Sequence, residues 1–185
     1  MDNEKPMLVM VLGGEVVDLR HFTEDDVSLE LIAHSLARQC RWRGHLSEYR
    51  SVAEHSVEVV NRLVADLPNG SVIDTNVLRW ALLHDAPETW LSDIRSTLKL
   101  LMPGLSELED EIMKTIWSKL CPGQKVPSDS EQALVKYYDV CDAEREQQEL
   151  VNSFNGQRSL KCLNPQEAQI AFLHAARTLN LGTWH

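Results

Sequence analysis

The chain has 185 residues, 43% of them hydrophobic, and a formal charge of −10. That length suits one domain with a real core, and the acidic balance argues against a broad nucleic-acid surface, which needs an extended basic face. The charge does not exclude small phosphorylated ligands, because a bound metal supplies local positive charge. Cys40, Cys121, Cys141 and Cys162 form no C-x-x-C pair, so neither a zinc knuckle nor a dithiol redox site is indicated. The apolar run 7–12 is too short to span a bilayer and lacks the basic flank of a signal peptide. The expectation is a cytoplasmic protein, in the host cytoplasm if phage-encoded, with no membrane partner.

In chain order, residues 7–12, Gly13-Gly14 and residues 16–19 predict a β-hairpin, because paired glycines permit the positive φ of a tight turn. Residues 1–20 then form an appendage to a helical core over 21–185, all within one domain. Thr23 is placed to cap a helix starting at Glu24-Asp25-Asp26, with Leu29, Ile32, Ala33 and Leu36 as its apolar stripe. Residues 51–64 predict a helix through Val52, Val59, Val60 and Leu63, with His55 near its first turn. A buried helix over 76–84 ends at His84-Asp85, where Pro87 disfavours helical geometry at Ala86. Pro103-Gly104 marks a turn, 106–120 a helix, 121–129 a loop, 131–154 a long helix and 154–165 a polar connection. Pro165 opens the last helix at its first turn. The predicted fold is all-α, a helical bundle with a small N-terminal β-hairpin.

Chemistry concentrates at four residues. His84 and Asp85 are neighbours at a break, His55 lies in another apolar helix, and Asp139 lies in a third. Two imidazoles and two carboxylates suit a divalent metal (Co2+, Mn2+, Zn2+, Fe2+ or Mg2+), and the donor set does not choose among them. Asp139, flanked by Val135, Tyr138 and Cys141, either needs a cationic partner or lies solvated on a polar side. Glu88, one turn past His84, is placed to accept or deliver a proton, or is a surface loop residue. Arg38, Arg41, Arg43 and Arg50 stand in a stretch whose only acid is Glu48. Guanidinium forks suit phosphate oxygens, although a solvated basic loop reads the same way. Trp42 stacks on a base, packs on a sugar, or anchors the core. Arg95 and Lys99 are weaker phosphate candidates, and Asp93 binds a sugar hydroxyl, catalyses, or caps a turn.

Taken in order, Arg41-Trp42-Arg43-Gly44-His45, Ser51-Val52-Ala53-Glu54-His55-Ser56, the run LLHDAPETWLSDIRSTLK from Leu82 to Lys99, and Asp139 followed by Glu146 resemble the HD-domain phosphohydrolases. The resemblance spans residues 13–178 and is nearest to small bacterial and phage members, which include 5′-deoxynucleotidases and phage deoxyadenosine triphosphate triphosphohydrolases. It implies a helical HD fold with His55, His84, Asp85 and Asp139 as metal ligands and Glu88 and Asp93 as catalytic residues. It further implies Arg41 on phosphate and Trp42 reading the deoxyribose; Arg43 and Lys99 are expected among the substrate contacts from their charge beside these motifs. Thr89 stands where guanosine tetraphosphate hydrolases carry an Asp, and the second-His pattern of cyclic-dinucleotide phosphodiesterases is missing; both departures point to simple nucleotides.

The expected activity is metal-dependent hydrolysis at the α-phosphorus of a 2′-deoxynucleotide. A monophosphate gives deoxynucleoside and phosphate; a triphosphate gives deoxynucleoside and tripolyphosphate. The competing readings are a non-catalytic module that binds metal and nucleotide, and a helical interaction protein with accidental histidine placement. The resemblance also implies a homo-oligomer, a dimer or larger, and the acidic charge leaves no nucleic-acid polymer expected as partner.

Overall fold

The computed structural model describes residues 5–68, 70–154 and 162–182. It is mostly helical, with one two-stranded antiparallel hairpin. Strands β1 (Leu8–Met10) and β2 (Val16–Asp18) pair with Val9 opposite Val17. Gly13 and Gly14 both adopt positive φ, as the sequence demands, but inside a wider turn closed by Val11 and Glu15. The strands are therefore shorter than predicted. The hairpin is also more than an appendage, because Val17 and Leu19 are buried in the main core.

The first helix starts later than its acids suggest. Thr23 and Asp26 close a capping box around a single 3-10 turn, Glu24–Asp26. Helix α1 (Leu29–Leu36) begins after Ser28, whose hydroxyl accepts from the Leu31 amide. Two caps competed for one helix, and the one adjoining the apolar stripe prevailed. Helix α2 (Val52–Ala65) is capped by Ser51 Oγ, which accepts from the Glu54 amide at 3.1 Å. A β-bridge between Cys40 and Ser51 pinches the intervening loop at its base.

Asp74 caps helix α3 (Thr75–Leu83). Beyond Leu83 the hydrogen bonds tighten to i→i−3: Ala86 to Leu83, Glu88 to Asp85 and Thr89 to Ala86. This is the break that Pro87 predicts, followed by two short helices the periodicity does not reveal, α4 (Glu88–Leu91) and α5 (Ser96–Lys99). Helices of one turn carry too few apolar repeats to show a period. Helix α6 (Leu105–Leu120) follows, then α7 (Asp129–Phe154) and α8 (Pro165–Thr178). Pro165 sits at the start of α8, behind an Asn164–Glu167 capping box. Most of the polar connection predicted over 154–165 lies outside the described residues.

Helix α2 is the central element and packs on α3, α7 and α8, while α1 packs on α8 and α4. Fully buried Ile32, Leu36, Val52, Leu63, Leu82 and Phe172 build the core from these faces, and Ile116 adds to it from α6. Because α2, α3 and α7 meet there, their polar residues at the junction are forced together. Among the described residues no helix is long and apolar enough to cross a membrane. All four cysteines are free thiols.

Candidate metal centre

His55, one turn into α2, is completely buried. Its Nδ1 lies 2.8 Å from Asp142 Oδ2, and its Nε2 lies 3.0 Å from Asp139 Oδ1. With Nδ1–H donating to the Asp142 carboxylate, Nε2 presents a lone pair. His84, at the C-terminal end of α3, is fixed the same way, its Nδ1 donating to the Ala81 carbonyl at 2.8 Å. Its Nε2 is buried and has no hydrogen-bond partner.

Around these two nitrogens stand two acids. Asp85 Oδ2 is 3.3 Å from His84 Nε2 and 3.7 Å from His55 Nε2. Asp139 Oδ1 is 3.9 Å from His84 Nε2. The four residues predicted as ligands therefore converge, with each imidazole Nε2 3.0–3.9 Å from an oxygen of each of the two carboxylates. Ligand distances of about 2.0–2.1 Å require donor separations of about 3.0–3.4 Å around one ion. Lone pairs of two anchored imidazoles and two carboxylates facing one another repel unless a positive charge lies between them. The buried, orphaned His84 Nε2 is the clearest sign of that demand. His55, His84 and Asp139 are close enough to share a metal ion, and Asp85 stands beside them through its contacts with the two imidazoles.

The electrostatics express the same demand for positive charge beside the two acids, which a proton on His84 meets and a bound cation would replace. Burial pulls the His84 imidazole down, but Asp85 and Asp139 outweigh it and raise the pKa to about 9. Burial raises Asp85, yet His84 and His55 overcome this and hold the carboxyl below its usual range. Asp139 is likewise lowered, by His55, His84 and Lys136 against its burial. Glu88 goes the other way. Its carboxyl is buried with Oε2 unpartnered, and burial, then the charges of Asp85 and Asp93, push it up to about 10. Two carboxylates stay ionised while a third, close by, keeps its proton.

His84, Asp85 and Glu88 line a cavity of about 420 Å³. Lys99 enters it from α5 and Lys136 from α7, with Trp80 and Gln132 also on its wall. Lys99 Nζ is 2.6 Å from Glu109, and Lys136 Nζ is 2.6 Å from Asp139 Oδ2. Asp93 does not line this cavity. It follows Ser92, held at φ 66°, and its amide donates to Gln39 Oε1 at 3.1 Å. Burial raises the Asp93 pKa and Arg41 opposes it, so the residue shares the field of the cluster. Gln39 also donates to the Glu88 carbonyl at 2.9 Å, tying both ends of this segment to the end of α1.

The arginine loop differs from the expectation. Arg41 Nε lies 3.1 and 3.0 Å from the two Glu146 oxygens and Nη2 lies 2.9 Å from Oε2, while Nη1 is 3.8 Å from Asp85. Arg50 is buried against Glu54, Asp142 and Glu146 at 3.0, 2.9 and 2.6 Å. It is a structural cation, and the phosphate role considered for it is corrected: three carboxylates already fill its fork. Trp42 Nε1 donates to Glu146 at 2.8 Å, and Arg95 lies 5.4 Å from the Trp42 ring centroid. Trp42 and Arg43 both take positive φ, 55° and 54°, unusual for side chains of their size. Arg43 points outward and is exposed, and neither residue lines the cavity.

The sequence reading overlooked Asp142, Lys136 and Gln39, and gave Glu146 no role. A signal was present. Asp139, Asp142, Glu146 and Glu149 recur at spacings of 3, 4 and 3, the period of a buried helix face, and the last three are buried. Acids in place of apolar residues on such a face require partners.

No protein-family model matches the chain. The chain is similar to the uncharacterized protein YfdR of Escherichia coli (strain K12), at 35% identity over 129 residues, 69% of this chain and 63% of that protein. It is also similar to the uncharacterized protein RCAP_rcc00048 of Rhodobacter capsulatus, at 38% identity over 109 residues, 57% of this chain and 54% of that protein. The chain thus matches 63% and 54% of the length of these relatives.

Proposed function

We propose that this chain is a metal-dependent phosphohydrolase of the HD-domain type, hydrolysing 2′-deoxynucleoside monophosphates to deoxynucleoside and phosphate. The observation that carries the reading is the convergence of His55, His84, Asp85 and Asp139, with His84 Nε2 buried and unpartnered, beside an open cavity. These four residues would hold a divalent cation. When bound, the cation supplies Lewis-acid chemistry, polarising a phosphoryl oxygen and acidifying water.

The chain's own groups supply the rest. The cavity lies within the size range of small-molecule sites, about 300–1,000 Å³. Glu88, protonated through burial and projecting into that cavity, hands its proton to the leaving 5′-oxygen as the P–O5′ bond breaks. The proton lost by the attacking water restores it. Asp139 and Asp85 remain ionised throughout, so the cation-holding and proton-carrying carboxyls are distinct groups.

Charge balance favours the monophosphate over the triphosphate. Arg41 and Arg50 are engaged by buried acids, which leaves Lys99 and Lys136 as the basic side chains on the cavity wall, opposite Asp85, Glu88, Glu109 and Asp110. A triphosphate brings more negative charge than two ammonium groups can meet. Glu88 also separates this reading from a pure binding module, which has no use for a buried carboxylic acid beside its ligand. The test is a product assay across deoxynucleoside mono-, di- and triphosphates with Mn2+, Co2+ and Mg2+. Orthophosphate from monophosphates supports the proposal. Tripolyphosphate from triphosphates redirects it, and no hydrolysis with any cation defeats it.

A further inference from the structure

In the arginine loop, buried carboxylates hold Arg41 and Arg50 in place. The ammonium groups that line the cavity come from α5 and α7 instead. Lys136 lies one helical turn before Asp139, on the same side of α7, and its side chain is 70% exposed. Its Nζ contacts Asp139 through Oδ2, while Oδ1 of the same carboxylate faces His55. The two oxygens thus divide their work: one faces the metal cluster, the other holds a mobile cation at the cavity rim. A lysine on four methylenes with an exposed head can swing by several ångströms, which a guanidinium gripped by Glu146 cannot.

We propose that Lys136 is a binding residue for the phosphate dianion of the substrate, acting beside the metal cluster together with Lys99 on the wall of the same cavity. This rests on the phosphohydrolase reading above. Asp139 holds the Lys136 ammonium near the site until an anion arrives, and the charged hydrogen bond then passes from carboxylate to phosphate. Neutralising Asp139 by a cation on its other oxygen loosens the Lys136 contact and favours the exchange. Lys99 has the same construction, its ammonium held by Glu109 at 2.6 Å. Both ammonium groups are thus kept on carboxylates at the edge of the site, ready for a stronger anion.

The full chain, loaded with Mn2+, is titrated with inorganic phosphate by calorimetry, as wild type, Lys136→Met and Lys136→Arg. Bound Mn2+ is counted in each. Because Lys136 is exposed, neither variant disturbs the core. All three should hold the same amount of Mn2+, with phosphate affinity about tenfold weaker in Lys136→Met and within about threefold of wild type in Lys136→Arg. Phosphate binding to Lys136→Met within about twofold of wild type, with Mn2+ retained, overturns the proposal. Loss of Mn2+ from Lys136→Met alone overturns it too, because Lys136 would then orient Asp139. Absence of Mn2+ from the wild type instead removes the phosphohydrolase reading and this proposal with it.

Discussion

Two clusters of acids meet His55, and they are built on opposite principles. On its Nδ1 side, Asp142 and Glu146 are saturated with N–H donors. Asp142 accepts from His55, Arg50 and Arg145, and Glu146 from Arg41, Trp42 and Arg50. On its Nε2 side, Asp85 and Asp139 face the ring nitrogens of His55 and His84 with few donors among them. Both clusters bring histidine and carboxylate within ligating distance of one another, yet guanidinium already supplies the positive charge in the first. The difference teaches that proximity of ligand types is a weak sign of a metal site, whereas unmatched lone pairs are a strong one.

Substitutions on the two sides should separate function from stability. Asp85→Ala is expected to have the largest effect. It should abolish bound metal and hydrolysis while leaving the protein folded, because it removes one of several crowded negative charges. Metal analysis and thermal melting check both halves, and full activity in the variant refutes the ligand assignment. Glu88→Gln comes next. It should retain the cation but lower kcat by about 10²–10⁴-fold, the usual range for loss of a general acid.

Glu146→Ala tests the saturated side. Removing this carboxylate takes from Arg41 its one close partner and from Arg50 one of three, in a buried site, at a cost of about 3–5 kcal/mol of folding stability. Denaturant unfolding measures it, and a cost under about 1 kcal/mol would show that the network contributes little. Asp142→Asn should act most mildly. It keeps the shape but weakens the anchor of His55, lowering metal affinity about 10–100-fold. Were Asp142→Asn as costly to metal binding as Asp85→Ala, the contrast between the two sides would dissolve.

Much of the helical plan was legible along the chain. Ser51, the apolar period of α2, the break at Pro87 and the opening of α8 at Pro165 each follow from local chemistry, which a few neighbouring residues dictate. The start of α1 was misjudged because Thr23 and Ser28 are both competent caps, and only packing of Leu29 and Ile32 into the core chose between them. Short helices α4 and α5 were invisible because one turn shows no period.

The site divided along the same line. His55, His84, Asp85 and Asp139 were recognisable as residue types unsuited to apolar helices without a partner. Their meeting within 3.0–3.9 Å depended on α2, α3 and α7 crossing at one point. The arginines show the limit most plainly. Sequence supplied a basic loop, but whether each guanidinium faces a phosphate or a carboxylate depends on residues about a hundred positions away, Asp142 and Glu146 on α7. Local order thus determined which side chains carry charge and which helices bear them. Tertiary structure alone decided which charges neutralise each other, because the Coulomb interaction follows distance in space and burial, neither of which is written along the chain.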